Sequence, residues 1–450
     1  MASKRDLVEA HAFNRRRLVT AFLSGAPGGR EVEPARPARA VVAGAVLAVL
    51  VVAGAAVAGY LRPGLPDGWN DNTLVVARGS GARYVATGGT LYPVANITSA
   101  RLLLPADKDF RVVLAPEDKI ADEPRGSDIG IVGAPDALPE RDALIQSGWS
   151  SCVDQSGQTR LRVDESPAVA PAPERSALLV DTGSDLVVIT GSARFRVAEN
   201  GRAAALRALG LDAVQPLRAP GSWVDLFPAG QDLAPLSVAG AGEPLPAGVG
   251  RPGGLSTYGT LVLVTEPGGS ERPYVLTKQG LSPLSELAAA LYQVGPSATA
   301  PVRLTQADVA QLPTAEPLYP QDWPTQTLTP LTQPVPCALL TSDPDQLPVT
   351  TLAVATDPAA APTAAKEAVV QPAHGAVVRA VSGGVVNRGT VYLVDPTGTR
   401  FALSGSVETV LAQLGYTGLR PASVSQAWVD ALRDGPELSS EAARQVVSAG

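Results

Sequence analysis

The chain has 450 residues, a net charge of −7, 44 glycines and 41 prolines. This length allows more than one domain, the acidic balance argues against nucleic-acid binding, and the glycine and proline content favours small strand-and-turn modules. Only two histidines, His11 and His374, and two cysteines, Cys152 and Cys337, are present. We therefore predict no catalytic residues and no metal site, because too few bases and ligands are available.

Residues 1–39 are predicted to form a cytoplasmic basic segment with an amphipathic helix from Ser3 to Ser24, which Gly25 ends. Ser3 and Asp6 have the spacing of a capping box, with Asp in place of Glu. The helix carries a basic cluster, Arg15, Arg16 and Arg17. This cluster could bind acidic lipid headgroups or the acidic face of a partner. The alternative is a solvated stretch that only determines membrane topology.

The uncharged run from Ala40 to Leu61 is long enough to cross roughly 30 Å of hydrocarbon as a single helix. Eight Lys or Arg and four acids precede it, so the positive-inside rule predicts a cytoplasmic N-terminus and an extracytoplasmic C-terminal region. A secretory signal cleaved before Gly59 is the alternative. The long preceding segment and an apolar run beyond the usual ~7–15 residues favour an uncleaved anchor.

Both cysteines follow this hydrophobic run. In an oxidising compartment we expect Cys152 and Cys337 to pair with each other. Two buried free thiols are the alternative.

Internal repeats organise the exported region. Nine positions recur at a constant offset of 205 residues, including the Trp-Val-Asp that begins at Trp223 in one copy and at Trp428 in the other. Strand patterns at residues 178–180 and 391–394 are interpreted as the opening strands of these two copies. Looser copies begin at Leu261 and Leu74. Each copy is predicted to be a small α/β module.

The predicted fold class is mixed α/β, with one N-terminal transmembrane helix and an elongated exported region in which a central β domain carries four peripheral repeats. Residues 112–114, 129–132, 349–354 and 377–381 are assigned to strands of the central domain. The predicted segments are 1–39, cytoplasmic; 40–61, transmembrane; 62–110, first repeat; 111–173, the N-terminal portion of the central β domain with a linker; 174–245, second repeat; 246–313, third repeat; 314–384, a Pro-rich connector and the C-terminal portion of the central β domain; and 385–450, fourth repeat.

One motif suggests an enzyme and is interpreted otherwise. The run from Asp181 to Ser184 matches the active-site loop of aspartic proteases, but that chemistry needs a second such loop. The nearest candidate, Asp395 to Gly398, has Pro where the motif has Thr. A hairpin turn is therefore favoured. No G-x-x-x-x-G-K-[ST] phosphate loop occurs.

Several longer segments are similar to a known family. They are Gly81 to Val85, Leu91 to Leu102, Arg125 to Pro135, Trp149 to Cys152, Val391 to Val394, Leu414-Gly415 and Gly435-Pro436. In these segments the chain resembles EccB, the single-pass core component of actinobacterial type VII (ESX) secretion systems. The resemblance covers nearly the whole chain.

The resemblance implies a structural component of the secretion core complex that supplies its extracytoplasmic assembly. It also implies a cysteine bridge, four repeats around a central β domain, self-association, and partners of the EccC, EccD, EccE and MycP types. An ATPase activity is attributed to the family, so ATP is a possible ligand by resemblance alone. The alternative functions are an extracytoplasmic ATPase and a peptidoglycan-binding module.

Overall fold

The computed structural model describes residues 3–24, 37–60, 65, 67–106, 110–246, 252–357, 360–363, 366–381 and 384–447. The chain divides into two compact units, Met1–Pro66 and Asp67–Gly450. Every β-strand of the described residues lies in the second unit.

The first unit contains two helices, α1 (Lys4–Ser24) and α2 (Pro37–Tyr60). The backbone N–H of Ser3 donates to Asp6 Oδ2 at 2.9 Å, which is one half of the predicted capping box. The predicted helix end at Gly25 lies outside the described residues.

Helix α2 contains the candidate membrane span. Its segment Ala38–Val57 has 20 residues with a mean hydropathy of 2.7, and it is the only described helix long and apolar enough to cross a membrane. The predicted run from Ala40 coincides with this helix, and its last residue, Leu61, lies outside the described residues.

The second unit begins with β1 (Thr73–Arg78), β2 (Arg83–Thr87), β3 (Thr90–Pro93), α3 (Ile97–Leu103), β4 (Val112–Pro116) and α4 (Glu117–Ala121). Next come β5 (Trp149–Val153), β6 (Thr159–Val163) and β7 (Val169–Pro171). They are followed by β8 (Ser176–Asp181), β9 (Leu186–Thr190), β10 (Ala193–Arg196), α5 (Arg202–Ala208), β11 (Leu217–Arg218) and α6 (Gly221–Val224).

The chain continues with β12 (Leu261–Thr265), β13 (Glu271–Thr277), β14 (Gly280–Pro283), α7 (Glu286–Gln293), β15 (Val302–Thr305), α8 (Gln306–Val309) and β16 (Thr329–Pro330). Then follow β17 (Pro336–Thr341), β18 (Val349–Ala355) and β19 (Lys366–Val370). The last elements are β20 (Ala376–Val381), β21 (Val391–Val394), β22 (Thr399–Leu403), α9 (Val407–Leu414), β23 (Ala422–Ser425), α10 (Gln426–Asp430), β24 (Arg433–Asp434) and α11 (Ser440–Ala443).

Four repeats share one topology, and they begin with β1, β8, β12 and β20. In each repeat the first three strands form an antiparallel meander, a helix follows, and the fourth strand pairs in parallel with the first. The strand order is therefore 3-2-1-4 in every copy. The third and fourth strands of a repeat therefore run in the same direction, and a helix is the usual connection between two such strands.

Local capping explains where the repeat helices begin. The side chain of Asn96 accepts from the backbone of Ser99 at the start of α3. Ser285 and Ser406 cap α7 and α9 in the same way. These polar side chains satisfy backbone N–H groups that no helical carbonyl can reach. Helix α5 differs, because it follows Gly201 in a left-handed conformation.

The central sheet has six strands in the order β19-β6-β5-β17-β18-β7. It combines strands from residues 149–171 with strands from residues 336–370, which lie on opposite sides of the second and third repeats in sequence. This aspect of the expected architecture, a central β domain built from distant segments, is confirmed.

The repeats pack on the central sheet in a symmetric order. One apolar cluster joins the central sheet to the second and fourth repeats, which contribute Val224 and Val429 respectively. The first repeat packs on the fourth through α3 and α9, and the third repeat packs on the second through α7 and α5. The resulting packing order is first, fourth, central sheet, second, third.

Three strand assignments made from the sequence were wrong. Residues 112–114 lie in β4 and pair with β1 of the first repeat. Residues 377–381 lie in β20, the opening strand of the fourth repeat. Residues 129–132 form no strand, although Ile129 makes single bridges to Val94 and Val446. Residues 349–354 do lie in the central sheet. Apolar β-branched runs look alike whichever sheet they join, because the pairing partner is distant in sequence.

The equivalence of the opening strands was also wrong. Residues 391–394 form β21, which is the second strand of its repeat and corresponds to β9. The spacing between first and second strands differs between the two copies, so a constant sequence offset does not extend to the first strand.

Candidate functional site

The two cysteines form a disulfide at the middle of the central sheet. Cys152 on β5 lies opposite Cys337 on β17, with their Cα atoms 4.0 Å apart. Both residues are buried. The bond therefore connects the two stretches of chain that build the central sheet, and the alternative of two free thiols is not what the structure contains.

The tryptophans of the repeated Trp-Val-Asp motif dock two repeats on the central sheet. The indole Nε1 of Trp223 donates to the backbone carbonyl of Ser151 at 3.0 Å. Trp428 Nε1 donates to Thr350 Oγ1 at 2.9 Å. Both indoles belong to the apolar cluster that contains Trp149 of β5. The motif is therefore a packing element shared between repeat and sheet, because a buried indole N–H requires an acceptor.

The aspartates of the same motif hold the third strand of their own repeat. Asp225 forms an ion pair with Arg194 at 2.8 Å, and Asp430 forms one with Arg400 at 2.5 Å. Asp434 adds a second carboxylate to Arg400 at 2.6 Å. Burial acts to lower the pKa of Arg400, but hydrogen bonds to the two carboxylates outweigh it and raise the pKa. The net direction is upward.

Each repeat also returns an extended segment to its third strand, and two repeated glycines make this possible. A Cβ on Gly230 would lie 2.3 Å from the ring of Phe195, and a Cβ on Gly435 would lie 2.4 Å from the ring of Phe401. The first repeat has the same arrangement at Gly126, against the ring of Tyr92. Gly230 and Gly435 lie 205 residues apart, which is the offset of the sequence repeat. Their recurrence reflects close approach of the backbone to an aromatic ring.

Polar contacts fix the first repeat on the fourth. Gln413 Nε2 of α9 donates to the carbonyls of Leu102 and Leu104 at 3.0 and 3.1 Å, at the C-terminal end of α3. Arg101 donates to the Leu414 carbonyl at 3.2 Å. Carbonyls that no helical N–H can reach are satisfied by the neighbouring repeat. The sequence carries no signal for these contacts, which join residues more than 300 positions apart.

A cleft of about 530 Å³ lies in the second repeat, and charged side chains line it. Its two arginines are Arg194 and Arg196, and its three acids are Asp185, Asp225 and Asp232. Arg196 pairs with Asp232 at 2.5 Å, as Arg194 does with Asp225. The paired arginines and the acidic excess make the cleft unfavourable for a polyphosphate.

The sequence resemblance to an aspartic protease loop corresponds to a turn. Asp181 ends β8 and its Oδ1 accepts from the backbone N–H of Gly183 at 2.8 Å. Asp395 accepts in the same manner from Thr397 at 2.9 Å, in the turn between β21 and β22. The two loops connect different strands of their repeats, and each carboxylate is used to stabilise its own turn.

The predicted basic cluster of Arg15, Arg16 and Arg17 lies on α1 with all three side chains exposed. Among the described residues, no group of three or more His, Cys, Asp or Glu could hold a metal ion.

The repeated Trp-Val-Asp residues connect modules. They do so through apolar packing, hydrogen bonds and ion pairs.

Comparisons with known proteins agree along the whole chain. The family described as "Type VII secretion system ESX-1, transport TM domain B", EccB, matches residues 1–448. The ESX-3 secretion system ATPase EccB3 of Mycolicibacterium smegmatis is 27% identical over 445 residues, which is 91% of this chain and 84% of that protein. The ESX-1 secretion system ATPase EccB1 of Mycobacterium tuberculosis is 27% identical over 90% of this chain and 86% of its own length.

Solved structures have the same fold. A chain of the intact ESX-5 inner membrane complex superposes with a TM-score of 0.66 at 25% identity, covering 100% of this chain and 96% of that one. The EccB3 dimer from the ESX-3 core complex gives a TM-score of 0.67 at 26% identity, covering 84% of this chain and 100% of that one. With a family match over residues 1–448, the chain belongs to the EccB family of type VII secretion components.

Proposed function

We propose that this chain is a structural, single-pass component of a type VII secretion core complex and supplies a portion of its extracytoplasmic assembly. The observation that carries the proposal is the role of the repeated motif. Trp223 and Trp428 connect repeats to a disulfide-linked central sheet, so the most regular feature of the chain builds a scaffold.

The charge distribution supports one orientation. Eight Lys or Arg and four acids precede the apolar segment, which favours a cytoplasmic N-terminus. The disulfide requires an oxidising compartment, which agrees with an extracytoplasmic location for residues 67–450.

Partners follow from the family. A relative of this chain belongs to an ESX-5 inner membrane complex, and another was solved as a dimer. We therefore propose assembly with EccC, EccD, EccE and MycP-type components, together with self-association. The exposed cluster of Arg15, Arg16 and Arg17 would contact acidic lipid headgroups or an acidic partner surface on the cytoplasmic side.

Co-purification tests the proposal. The full chain, tagged and extracted from its native membrane, should bring down the other core components. The control is a double variant, Val49→Arg with Val51→Arg, in which two charges at the middle of the span each cost about 2.5–3.5 kcal/mol of insertion free energy. That variant should lose both membrane insertion and the complex. Recovery of the wild-type chain alone would contradict the proposal.

A second candidate function is an extracytoplasmic ATPase, which the names of the relatives favour. Phosphate release from ATP by the purified chain, surviving stringent purification, would support it. Neutralising the cleft in the second repeat by Asp185→Asn should then raise nucleotide affinity if that cleft is the site. Retention of the chain on peptidoglycan sacculi would instead indicate a wall-binding module.

A further inference from the structure

The first repeat presents a free strand edge. Strand β4 is the outermost strand of its sheet, and its only partner among the described strands is β1. The Leu74 N–H donates to the Arg111 carbonyl at 2.9 Å, which places the backbone groups of Arg111 and Val113 toward β1. In a parallel ladder the backbone groups of every second residue point away from the neighbouring strand. The N–H and C=O groups of Val112 and Leu114 therefore point outward.

The side chains on this edge are apolar as well. Val112 is 49% exposed and Leu114 is 58% exposed, while Val113 between them is buried. Proteins normally protect such an edge with charge, proline or a covering segment, because unpaired backbone next to apolar side chains attracts another strand.

Two of the other three repeats have their edges covered. In the fourth repeat the N–H of Ser423 on β23 donates to the Asp343 carbonyl, and Ser342 Oγ donates to the Ser423 carbonyl. In the second repeat the turn at Gly157 lies against the Arg218 carbonyl of β11. Both covering segments connect strands of the central sheet.

The third repeat is the matched comparison, because its edge strand β15 is also outermost. Val75 pairs with Val113, and the equivalent Val262 pairs with Val302. This register sets Pro301 and Arg303 at the positions of Val112 and Leu114. Arg303 is exposed and forms an ion pair with Glu271 at 2.8 Å. The third repeat thus has proline and a charge at the two positions where the first repeat has exposed apolar residues.

We propose that the β4 edge pairs with the β4 edge of a second copy of this chain, antiparallel, to make one continuous sheet across two subunits. A two-fold axis determines the direction, because a dimer of identical chains brings the same patch of each subunit together. With the outward N–H and C=O groups of Val112 and Leu114 facing those of the partner, the two strands run antiparallel. Arg111 before β4 and Glu117, Asp118 and Lys119 after it are all exposed.

The outward groups also determine the register. A two-fold axis at Val113 places Val112 opposite the partner's Leu114, and Leu114 opposite the partner's Val112. Both pairs are then hydrogen-bonded pairs, and the four exposed apolar side chains lie together on one face. This inference rests on the self-association that the proposed function includes, and it assigns that contact to one strand.

Cysteine crosslinking of the full chain in membranes tests the register. Two differently tagged chains, Val112→Cys and Leu114→Cys, are expressed together and separately. The mixed pair should form an intersubunit disulfide readily, because the two cysteines lie directly opposite each other. In each variant alone the two cysteines are diagonal neighbours with Cα atoms about 7–8 Å apart, which is too far for a disulfide without backbone movement. Arg303→Cys on β15 is the matched control and should not crosslink. Crosslinking of Arg303→Cys equal to that of the mixed pair, or no crosslinking in the mixed pair, would overturn the proposal.

A charge exchange tests the energetics without a covalent bond. Leu114→Lys alone and Val112→Glu alone should each weaken dimerisation by about tenfold, since each variant loses two cross-strand pairs. Chains carrying one substitution each should recover dimers when mixed, because the lysine introduced at position 114 would then face the glutamate introduced at position 112. The melting temperature of each variant should stay unchanged, because both positions are exposed in the single chain.

The outcomes separate this inference from the proposed function. Dimers that persist undiminished in Leu114→Lys would overturn the β4 contact, and the full complex could still be recovered. Purification of the wild-type chain without the other core components would contradict the proposed function instead. Dimer loss that mixing with Val112→Glu fails to restore would also count against the antiparallel register.

Discussion

The tryptophan in each Trp-Val-Asp motif satisfies two requirements at once. Its ring fills the apolar space between a repeat and the central sheet, and its N–H finds an acceptor on that sheet. In the same motif the aspartate pairs with an arginine of its own repeat. Three consecutive residues thus connect a module both internally and to its neighbour.

We predict that Trp428→Phe destabilises the chain by about 1–3 kcal/mol, because the buried hydroxyl of Thr350 loses its partner while most apolar contact remains. Chemical denaturation of the full chain in detergent measures the change. Thr350→Val provides the second arm of a double-mutant cycle, in which a coupling of about 1 kcal/mol is expected. Additive effects of the two substitutions would show that the hydrogen bond contributes nothing.

We predict that Gly435→Ala destabilises the fourth repeat by roughly 1–3 kcal/mol, because its Cβ would lie 2.4 Å from the Phe401 ring. The matched control is Gly221→Ala in the first turn of α6, where a Cβ meets nothing within 4 Å. That change should be neutral or stabilising by about 0.5–1 kcal/mol. Similar losses in both variants would contradict the close-approach explanation. Thermal unfolding of the two proteins supplies the comparison.

At the scale of elements, the central sheet depends on strands that are far apart in sequence. β5 and β17 are adjacent in the sheet, yet the cysteines they carry are separated by 185 positions. A crosslink that closes so long a loop removes much of the conformational entropy of the unfolded chain, which stabilises the folded state. We therefore expect the disulfide to stabilise mainly the pairing of β5 with β17, the two strands that the second and third repeats separate in sequence.

We predict that Cys152→Ser lowers the free energy of unfolding by about 2–5 kcal/mol, the usual cost of removing a native disulfide. The wild-type chain measured with a reductant should approach the variant, while the variant itself should not respond to reductant. A variant as stable as the oxidised wild type would show that the sheet holds without the bond. Mass spectrometry of a nonreduced digest should first establish the Cys152–Cys337 peptide pair in the native protein.

At the scale of the whole molecule, we expect substitutions in one unit to leave the properties of the other unchanged. The disulfide, the docked tryptophans and the repeat contacts all lie within Asp67–Gly450. The basic cluster lies on α1 of the other unit, with its side chains exposed. Stability and membrane assembly should therefore respond to different substitutions.

We predict that changing Arg15, Arg16 and Arg17 together to Glu leaves the melting temperature of the unit Asp67–Gly450 unchanged. If the proposed orientation holds, the same change impairs membrane insertion or docking to partners on the cytoplasmic side. The matched control changes the same three residues to Lys, which keeps the charge. Melting of the solubilised chain and recovery of the complex are measured side by side. A Glu variant that inserts, assembles and secretes normally would show that the cluster is only a solvated face.

We predict that residue 20 is cytoplasmic and residue 420 is outside. Thr20→Cys and Arg420→Cys, each labelled in intact cells with a reagent that does not cross the membrane, should give label only at position 420. Label at position 20 alone would reverse the proposed orientation.

Local patterns were sufficient for several features. The apolar run predicted α2 because a span is a property of consecutive residues. The repetition of Trp223 and Trp428 predicted a repeated module, and the family motifs predicted the EccB family. The capping pattern at Ser3 predicted α1 to within one residue at its start. Each of these features depends on neighbours in the chain, which the sequence displays directly.

Only the tertiary structure decided which strands share a sheet and what the repeated residues contact. The β-branched runs of β4 and β20 were predicted as strands but assigned to the wrong sheet, because pairing is chosen by distant partners. The acceptors of the two tryptophans and the glycines facing Phe195 and Phe401 carry no local signal. The free edge at Leu114 emerges only once the other three edges are seen to be covered or charged, since exposure is a property of the assembled fold.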